Sequence, residues 1–281
     1  MPEFVLTFAC PDRTGLVYAV TSWLFERGCN ILDSDQFGDA FSGRFFMRVH
    51  FNGDHDVAAL REGFVPVAEA HRMSWEIWPL DVRPRVLVMV SRLDHCLADL
   101  LYRTRLGELP IDIALIASNH RDAYPLAAAE DIDFLHLPFA ADNKAAQEAK
   151  LLEAIAERNV DLVVLARYMQ ILTERFCEAL PGRIINIHHS FLPSFKGARP
   201  YHQAHQKGVK LIGATAHYVT PALDEGPIIH QDAESIGHAD TPDELVRKGR
   251  DIESRVLAEA VRIHLEERVL LNGQRTVVFR G

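Results

Sequence analysis

The stretch RIINIHH (183–189) ends in an asparagine and two histidines, residue types that do chemistry. On a strand, side chains recur on one face at every second position. Asn186 and His188 are therefore predicted to share a face, with Ile185, Ile187 and His189 on the other. An amide N–H can hold a developing oxyanion, and an imidazole can give or take a proton near neutral pH. Further along, TAHYVTPALDEGPIIHQD (215–232) places Asp224 in a glycine-containing loop between two apolar segments. A carboxylate there can orient His188, set its tautomer and stabilise its charged form; a turn-forming Asp is the plainer reading. Thr215 and His217 alternate on the preceding strand, which makes both candidates for support of the site. The crowding of His188, His189, His202, His205, His217 and Asp224 also raises a metal hydrolase. No H-E-x-x-H spacing occurs, and zinc needs convergent ligands with outer partners, so no metal is expected.

The bulk properties bound what surrounds these residues. A chain of 281 residues favours two domains over one. With 48% hydrophobic and 25% charged residues it has the composition of a soluble globular protein. The net charge of -9 argues against a nucleic-acid or anionic-membrane partner. Cys10, Cys29, Cys96 and Cys177 form no C-x-x-C pair and read as buried, reduced thiols of a cytoplasmic protein. No charged-then-apolar leader is present, and no apolar run approaches the ~18 residues of a spanning helix.

The elements that must position the chemistry fall into two groups. Over residues 1–80 the pattern is strand (4–11), helix (15–28), two strands (30–51), helix (57–71, with Pro66 expected to bend or interrupt it) and strand (73–80). This β-α-β-β-α-β order is ferredoxin-like. LDVRPR (80–85) is the expected boundary. From 85 to 281, short apolar runs at 85–91, 111–118, 134–139, 160–168 and 183–189 alternate with amphipathic helical stretches such as 145–159. That alternation predicts an α/β fold, Rossmann-like and doubly wound around a mostly parallel sheet. Ligands bind such sheets at the carboxyl ends of the strands, which is where Asn186 and His188 fall. Two more strands (211–220, 226–235), a long helix (241–268) opened by a Thr241/Glu244 capping box and a terminal hairpin (269–279) with an Asn-Gly turn complete the reading.

Two resemblances add to it. CPDRTG (10–15), the helix after it and ERGCNIL, in that β-α-β-β-α-β context, resemble an ACT domain. The resemblance implies a regulatory module on paired interfaces of a homo-oligomer, with an amino-acid effector near Asp12, Arg13, Thr14 and Gly15, where Gly15 opens a helix whose N–H groups suit a carboxylate; a purely structural dimerisation module is the alternative. In the second group, Asn-x-His (186–188), Ser-x-Leu-Pro (190–193), Asp-x-Gly-Pro (224–227) and LARYMQIL (165–172) resemble the folate-dependent formyltransferases over about 85–281. The resemblance implies Asn186, His188 and Asp224 as the catalytic triplet. It implies Arg167, Tyr168, Met169, Gln170 and Ile171 as the folate-lining stretch, and 10-formyltetrahydrofolate as substrate, with no tightly bound cofactor. Glycinamide ribonucleotide formyltransferases of this group hold the acceptor's phosphate on a Gly-Ser-Asn-type loop after the first strand. SRLDHCLADLL (91–101) has no glycine and puts Asp94 there, where like charges repel. His189 stands where the transferases carry proline. Both departures imply the branch that passes the formyl group to water, releasing formate and tetrahydrofolate. Transfer to an amine such as glycinamide ribonucleotide is the alternative, and a regulatory protein on a degenerate enzyme fold is a further one.

Overall fold

A computed structural model describes residues 1–140, 143–192 and 200–280. The chain divides into two compact units, one of residues 1–83 with 263–281 and one of residues 84–262. The first begins β1 (Glu3–Pro11), α1 (Leu16–Glu26), β2 (Asn30–Asp39), β3 (Arg44–Asn52), α2 (Val57–His71), β4 (Ser74–Pro79). Its antiparallel sheet has the order β2-β3-β1-β4, as the ferredoxin-like pattern requires. Alternate β1 residues Phe4, Leu6 and Phe8 pack with Leu16, Val20, Leu24, Leu60 and Phe64 of the helices. Pro66 neither ends nor divides α2. Pro66 and Glu62 are both exposed, so the carbonyl that loses its helical N–H partner faces water.

The second unit carries β5 (Arg85–Val90), α3 (His95–Leu106), β6 (Asp112–Ser118), α4 (Tyr124–Ala129), β7 (Phe134–His136), α5 (Lys144–Glu157), β8 (Leu162–Ala166), α6 (Glu174–Ala179), β9 (Ile184–His188), α7 (Pro200–Lys207), β10 (Leu211–Tyr218), β11 (Ile228–Ser235) and most of α8 (Pro242–Leu265). Its seven strands are ordered β11-β10-β9-β8-β5-β6-β7. The five from β9 to β7 are parallel, and β10 and β11 add antiparallel edge pairings. Leu87, Met89, Val163 and Leu165 pack against Leu151, Ile155 and Phe176. Val86, Val88, Val90 and Val164, one residue out of phase, are equally buried. Both faces of the central strands are therefore covered, which explains their unbroken apolar runs. Chain order reverses between β5 and β8, and that is where the carboxyl ends open a crevice in such sheets.

The capping box holds: Thr241 N–H donates to Glu244 Oε2 at 2.7 Å and Glu244 N–H to Thr241 Oγ1 at 3.3 Å. The closing hairpin, β12 (Val269–Asn272) and β13 (Arg275–Val278), turns at Gly273 and Gln274. It differs from the expected division in its allegiance. Residues 263–281, read from the sequence as the end of the 85–281 domain, belong to the first unit. Leu270 and Phe279 pack on Ala9 and Phe46, the sheet face away from α1 and α2. Asp39 accepts from Asn272 Nδ2 at 2.8 Å and Arg275 at 3.0 Å.

Candidate active site

Asn186 and His188 stand on one face of β9, half-buried between buried isoleucines. Antiparallel pairing puts His217 of β10 directly opposite Asn186 and Thr215 opposite His188. Cross-strand partners in register lie within side-chain reach, and Asn186 Nδ2 is 3.2 Å from His217 Nε2. His217 Nδ1 lies 2.9 Å from the Tyr218 carbonyl. A carbonyl only accepts, so Nδ1 carries the proton and Nε2 of the neutral ring is the acceptor for the Asn186 amide. Burial pushes the His217 pKa below the ordinary histidine value, in keeping with that tautomer. The amide orientation is thereby fixed, with its second N–H left for the cleft.

Asp224 comes to this pair from the loop between β10 and β11. Its Oδ1 lies 3.3 Å from His188 Nδ1 and 3.8 Å from His217 Nε2. The hydrogen bond from His188 is the main reason its carboxyl titrates below the usual range, against the opposing effect of burial. With Nδ1 turned to Asp224, His188 Nε2 points onward for a ligand. Asp224 has a φ of 56°, a left-handed conformation that costs a non-glycine residue roughly 1 kcal/mol or more. Gly226, two residues on, permits the turn. A Cβ there would come within 1.7 Å of the Tyr218 carbonyl oxygen, while Tyr218 N–H donates to the Pro227 carbonyl at 2.9 Å.

Thr215 is fully buried and does not line the cleft. Its Oγ1 donates to the Ser190 carbonyl and accepts from Leu192 N–H, each at 3.0 Å, and from Gln231 Nε2 at 2.8 Å. It pins the chain leaving β9. Of the Ser-x-Leu-Pro segment, Pro193 lies outside the described residues, as do 194–197.

His189 corrects the parity expectation. β9 ends at His188, so alternation does not carry to the next residue. The His189 ring stacks on His188 with centroids 5.0 Å apart and lines the same cleft. Burial, then the charges of Arg167 and His188, pushes its pKa down to about 4.

The cleft has a volume of about 180 Å³, and Arg167, Tyr168, Met169, Gln170 and Ile171 line it together with Asn186, His188, His217, Asp224 and Val219–Leu223. The stretch 167–171 leaves β8 at the switch point. Ser91, just past β5, accepts from Met169 N–H at 3.0 Å, and buried Glu148 accepts from Thr173 N–H at 3.0 Å and from its hydroxyl. Held at both ends, the loop shows Met169 and Ile171 to solvent. Tyr168 packs edge-on against Phe139 at 6.1 Å, and its buried hydroxyl has no hydrogen-bond partner among the described residues. A buried polar group of that kind calls for a missing partner.

One cluster escaped the sequence reading. Glu253 of α8, 2% exposed at its side chain, lies 2.7 Å from His95 Nε2 and 3.3 Å from Arg167 Nε, and it accepts from the Tyr201 hydroxyl at 2.6 Å. Burial works to raise its pKa, but the bond from His95, the charge of Arg167 and the bond from Tyr201 outweigh it, and the group stays ionised below its usual range. Arg167 has a φ of 62°, a second strained non-glycine residue in this site. A Cβ on Gly249 would come within 2.1 Å of the Tyr201 ring. Glycine inside a helix costs about 1 kcal/mol relative to alanine, and here it makes room for that ring. The signal was present: Leu245, Ile252, Val256 and Leu257 form the buried stripe of α8, and Glu253 lies within it. A carboxylate in such a stripe must be paired.

His95, Cys96 and Glu253 also bring donor atoms within 4.8 Å of one another. With both Glu253 oxygens engaged and a guanidinium beside it, that cluster suits a dication poorly. The His-rich stretch that suggested a metal forms no such grouping among the described residues.

A family model described as formyl transferase matches residues 84–261. A formyltetrahydrofolate deformylase of Corynebacterium sp. (strain P-1) is 49% identical over 279 residues, 98% of each chain. The crystal structure of a formyltetrahydrofolate deformylase from Burkholderia mallei ATCC 23344 superposes with a TM-score of 0.96 at 52% identity, covering 100% of both chains. One from Pseudomonas syringae pv. tomato str. DC3000 gives 0.97 at 46% identity, covering 100% of this chain and 95% of its own. No helix among the described residues is long and apolar enough to cross a membrane.

Proposed function

The chain belongs to the formyl transferase family, in the group of formyltetrahydrofolate deformylases, and from that premise we propose that it hydrolyses 10-formyltetrahydrofolate to formate and tetrahydrofolate through Asn186, His188 and Asp224. The observation that carries the residue assignment is the continuous contact from Asn186 through His217 and Asp224 to His188 within one cleft.

Water attacks the formyl carbon. The negative charge that grows on the formyl oxygen is held by the second Asn186 N–H and by Nε2–H of protonated His188. Asp224 accepts from His188 Nδ1, keeps that ring oriented, and moves the proton released by water towards N10 as the C–N10 bond breaks. His217 fixes the Asn186 amide. The loop 167–171 and residues 219–223 receive the folate. No metal or bound cofactor enters this scheme.

The first unit fits an ACT-type regulatory module. In support, it has the β2-β3-β1-β4 order and a β1–α1 loop in which Arg13 bonds the Ala70 carbonyl and the His71 ring. An amino-acid effector near Asp12–Gly15 and a homo-oligomer follow from that reading. A cytoplasmic setting fits four cysteines without a disulfide.

The test is release of formate from 10-formyltetrahydrofolate, measured with and without an amine acceptor. Formate in equal amount in both arms supports hydrolysis; product only when the amine is present overturns it. Calorimetry with the common amino acids tests the regulatory reading, which falls if none binds and none changes activity.

A further inference from the structure

We propose that the Arg167–Glu253 pair, locked by His95 and Tyr201, is a plug that closes the acceptor side of the cleft and confines the attacking group to water. The proposal rests on the hydrolytic reading above. Transfer to an amine needs the amine nitrogen in bonding reach of the formyl carbon and open volume behind it for the rest of the molecule. Beside the stacked His188–His189 pair the structure instead presents a buried ion pair. His188 stacks on His189, His189 lies within the field of Arg167 and Glu253, and Arg167 and Glu253 pair at 3.3 Å. Their side chains are 10% and 2% exposed. Water needs no such volume.

Charge works in the same direction. A buried carboxylate beside the reaction centre is the group that would hold a cationic amine. Here one Glu253 oxygen is bonded by Tyr201 and the other by His95, with the Arg167 Nε ion-paired to it at 3.3 Å. The positive charge of Arg167, a residue that lines the cleft, repels an ammonium and leaves neutral water unaffected. Two local irregularities serve this network. Arg167 keeps a left-handed backbone, where glycine would be unstrained. Gly249 interrupts the side-chain surface of α8 so that the Tyr201 ring can reach Glu253.

The experiment supplies saturating 10-formyltetrahydrofolate, labelled with carbon-13 at the formyl group, together with glycinamide. Formate and formylglycinamide are read by NMR, and the enzyme-free reaction is subtracted. In the diverted reaction the amine nitrogen bonds to the formyl carbon, the C–N10 bond breaks, and N10 takes the proton the amine loses. Wild type is compared with Arg167→Gly, which suits the left-handed backbone, and with Arg167→Gly/Glu253→Gln, which removes both charges together and strands neither. Both products arise from the same folate complex, so a change in folate affinity does not alter their ratio. The expected result is formate with no detectable formylglycinamide from wild type, and formylglycinamide about tenfold or more above the detection limit in the variants, the effect of one small group in a pocket. If the double variant does not fold, Arg167→Gly carries the test alone, because Glu253 keeps His95 and Tyr201. An unchanged ratio in a folded variant overturns the plug. So does formylglycinamide from wild type, or a folded variant with no turnover, which would place Arg167 in the reaction with water itself. Failure of wild type to release formate strikes the hydrolytic reading, a separate result.

Discussion

Asn186 and His188 are each directed by a partner, His217 and Asp224, so single changes there should act on chemistry more than on folding. Asn186→Ala, His188→Ala and Asp224→Asn are each expected to cut turnover on the order of a hundredfold or more, the usual loss for one oxyanion donor or its orienting group, with melting temperatures close to wild type. Formate release under saturating folate checks this, and near wild-type turnover in His188→Ala would remove that residue from the mechanism. His189 gives a pH prediction. Its folded pKa of about 4 lies below the ordinary histidine value, so between the two the unfolded chain binds the proton first. Stability from this source is therefore complete above about pH 6.5, falls as pH falls towards 4, and is level below. His189→Asn should flatten that part of a melting-temperature profile. The pairing of Asn186 with His188 was legible because strand alternation is strict. The face of His189 was not, because alternation stops where the strand stops, and no local pattern announces that Ile184–His188 is the whole of β9.

Elements set the precision of the site through register and close approach. The β9–β10 pairing makes His217 the neighbour of Asn186, and the return to β11 brings the backbone of residue 226 against Tyr218. Gly226→Ala is expected to displace the Asp224 loop, costing on the order of 1–3 kcal/mol as overpacking usually does, with activity lost along with it; a thermal melt and a turnover assay read both. Asp39 ties the hairpin β12–β13 to the sheet. Its bond from Ser42 is the chief reason its pKa is held down to about 2, with Asn272, Phe41 and Arg275 adding. A depressed carboxylate stabilises above its ordinary pKa, and that contribution is lost as pH falls through 2. Asp39→Ala should speed hydrogen exchange in 269–278 at neutral pH and leave the amides of β8 and β9 unchanged. Nearly every one of these elements could be read from apolar period and turn residues, down to the Thr241/Glu244 box. The partners of Glu253 could not, since a helix pattern shows which face is buried but not which distant loop supplies a partner. Nor could the docking of the hairpin on Phe46, a contact more than 220 residues apart in the chain.

At the scale of the molecule, the first unit is built from both ends of the sequence and the second from its middle. The formyl transferase match stops at residue 261, just before the chain returns to the first unit. Removing residues 269–281 should therefore leave the candidate site's own residues in place while uncovering Ala9 and Phe46. The expected outcome is an earlier melting step and dye binding to exposed apolar surface; a truncated protein that melts as wild type would show that the hairpin carries no weight. The same arrangement has a consequence during synthesis. The four strands of the N-terminal sheet leave the ribosome well before Leu270 and Phe279, which cover one of its faces. Through the making of nearly two hundred intervening residues, that face waits without its own lid, and transiently exposed apolar surface of this kind is where nascent chains aggregate or recruit chaperones.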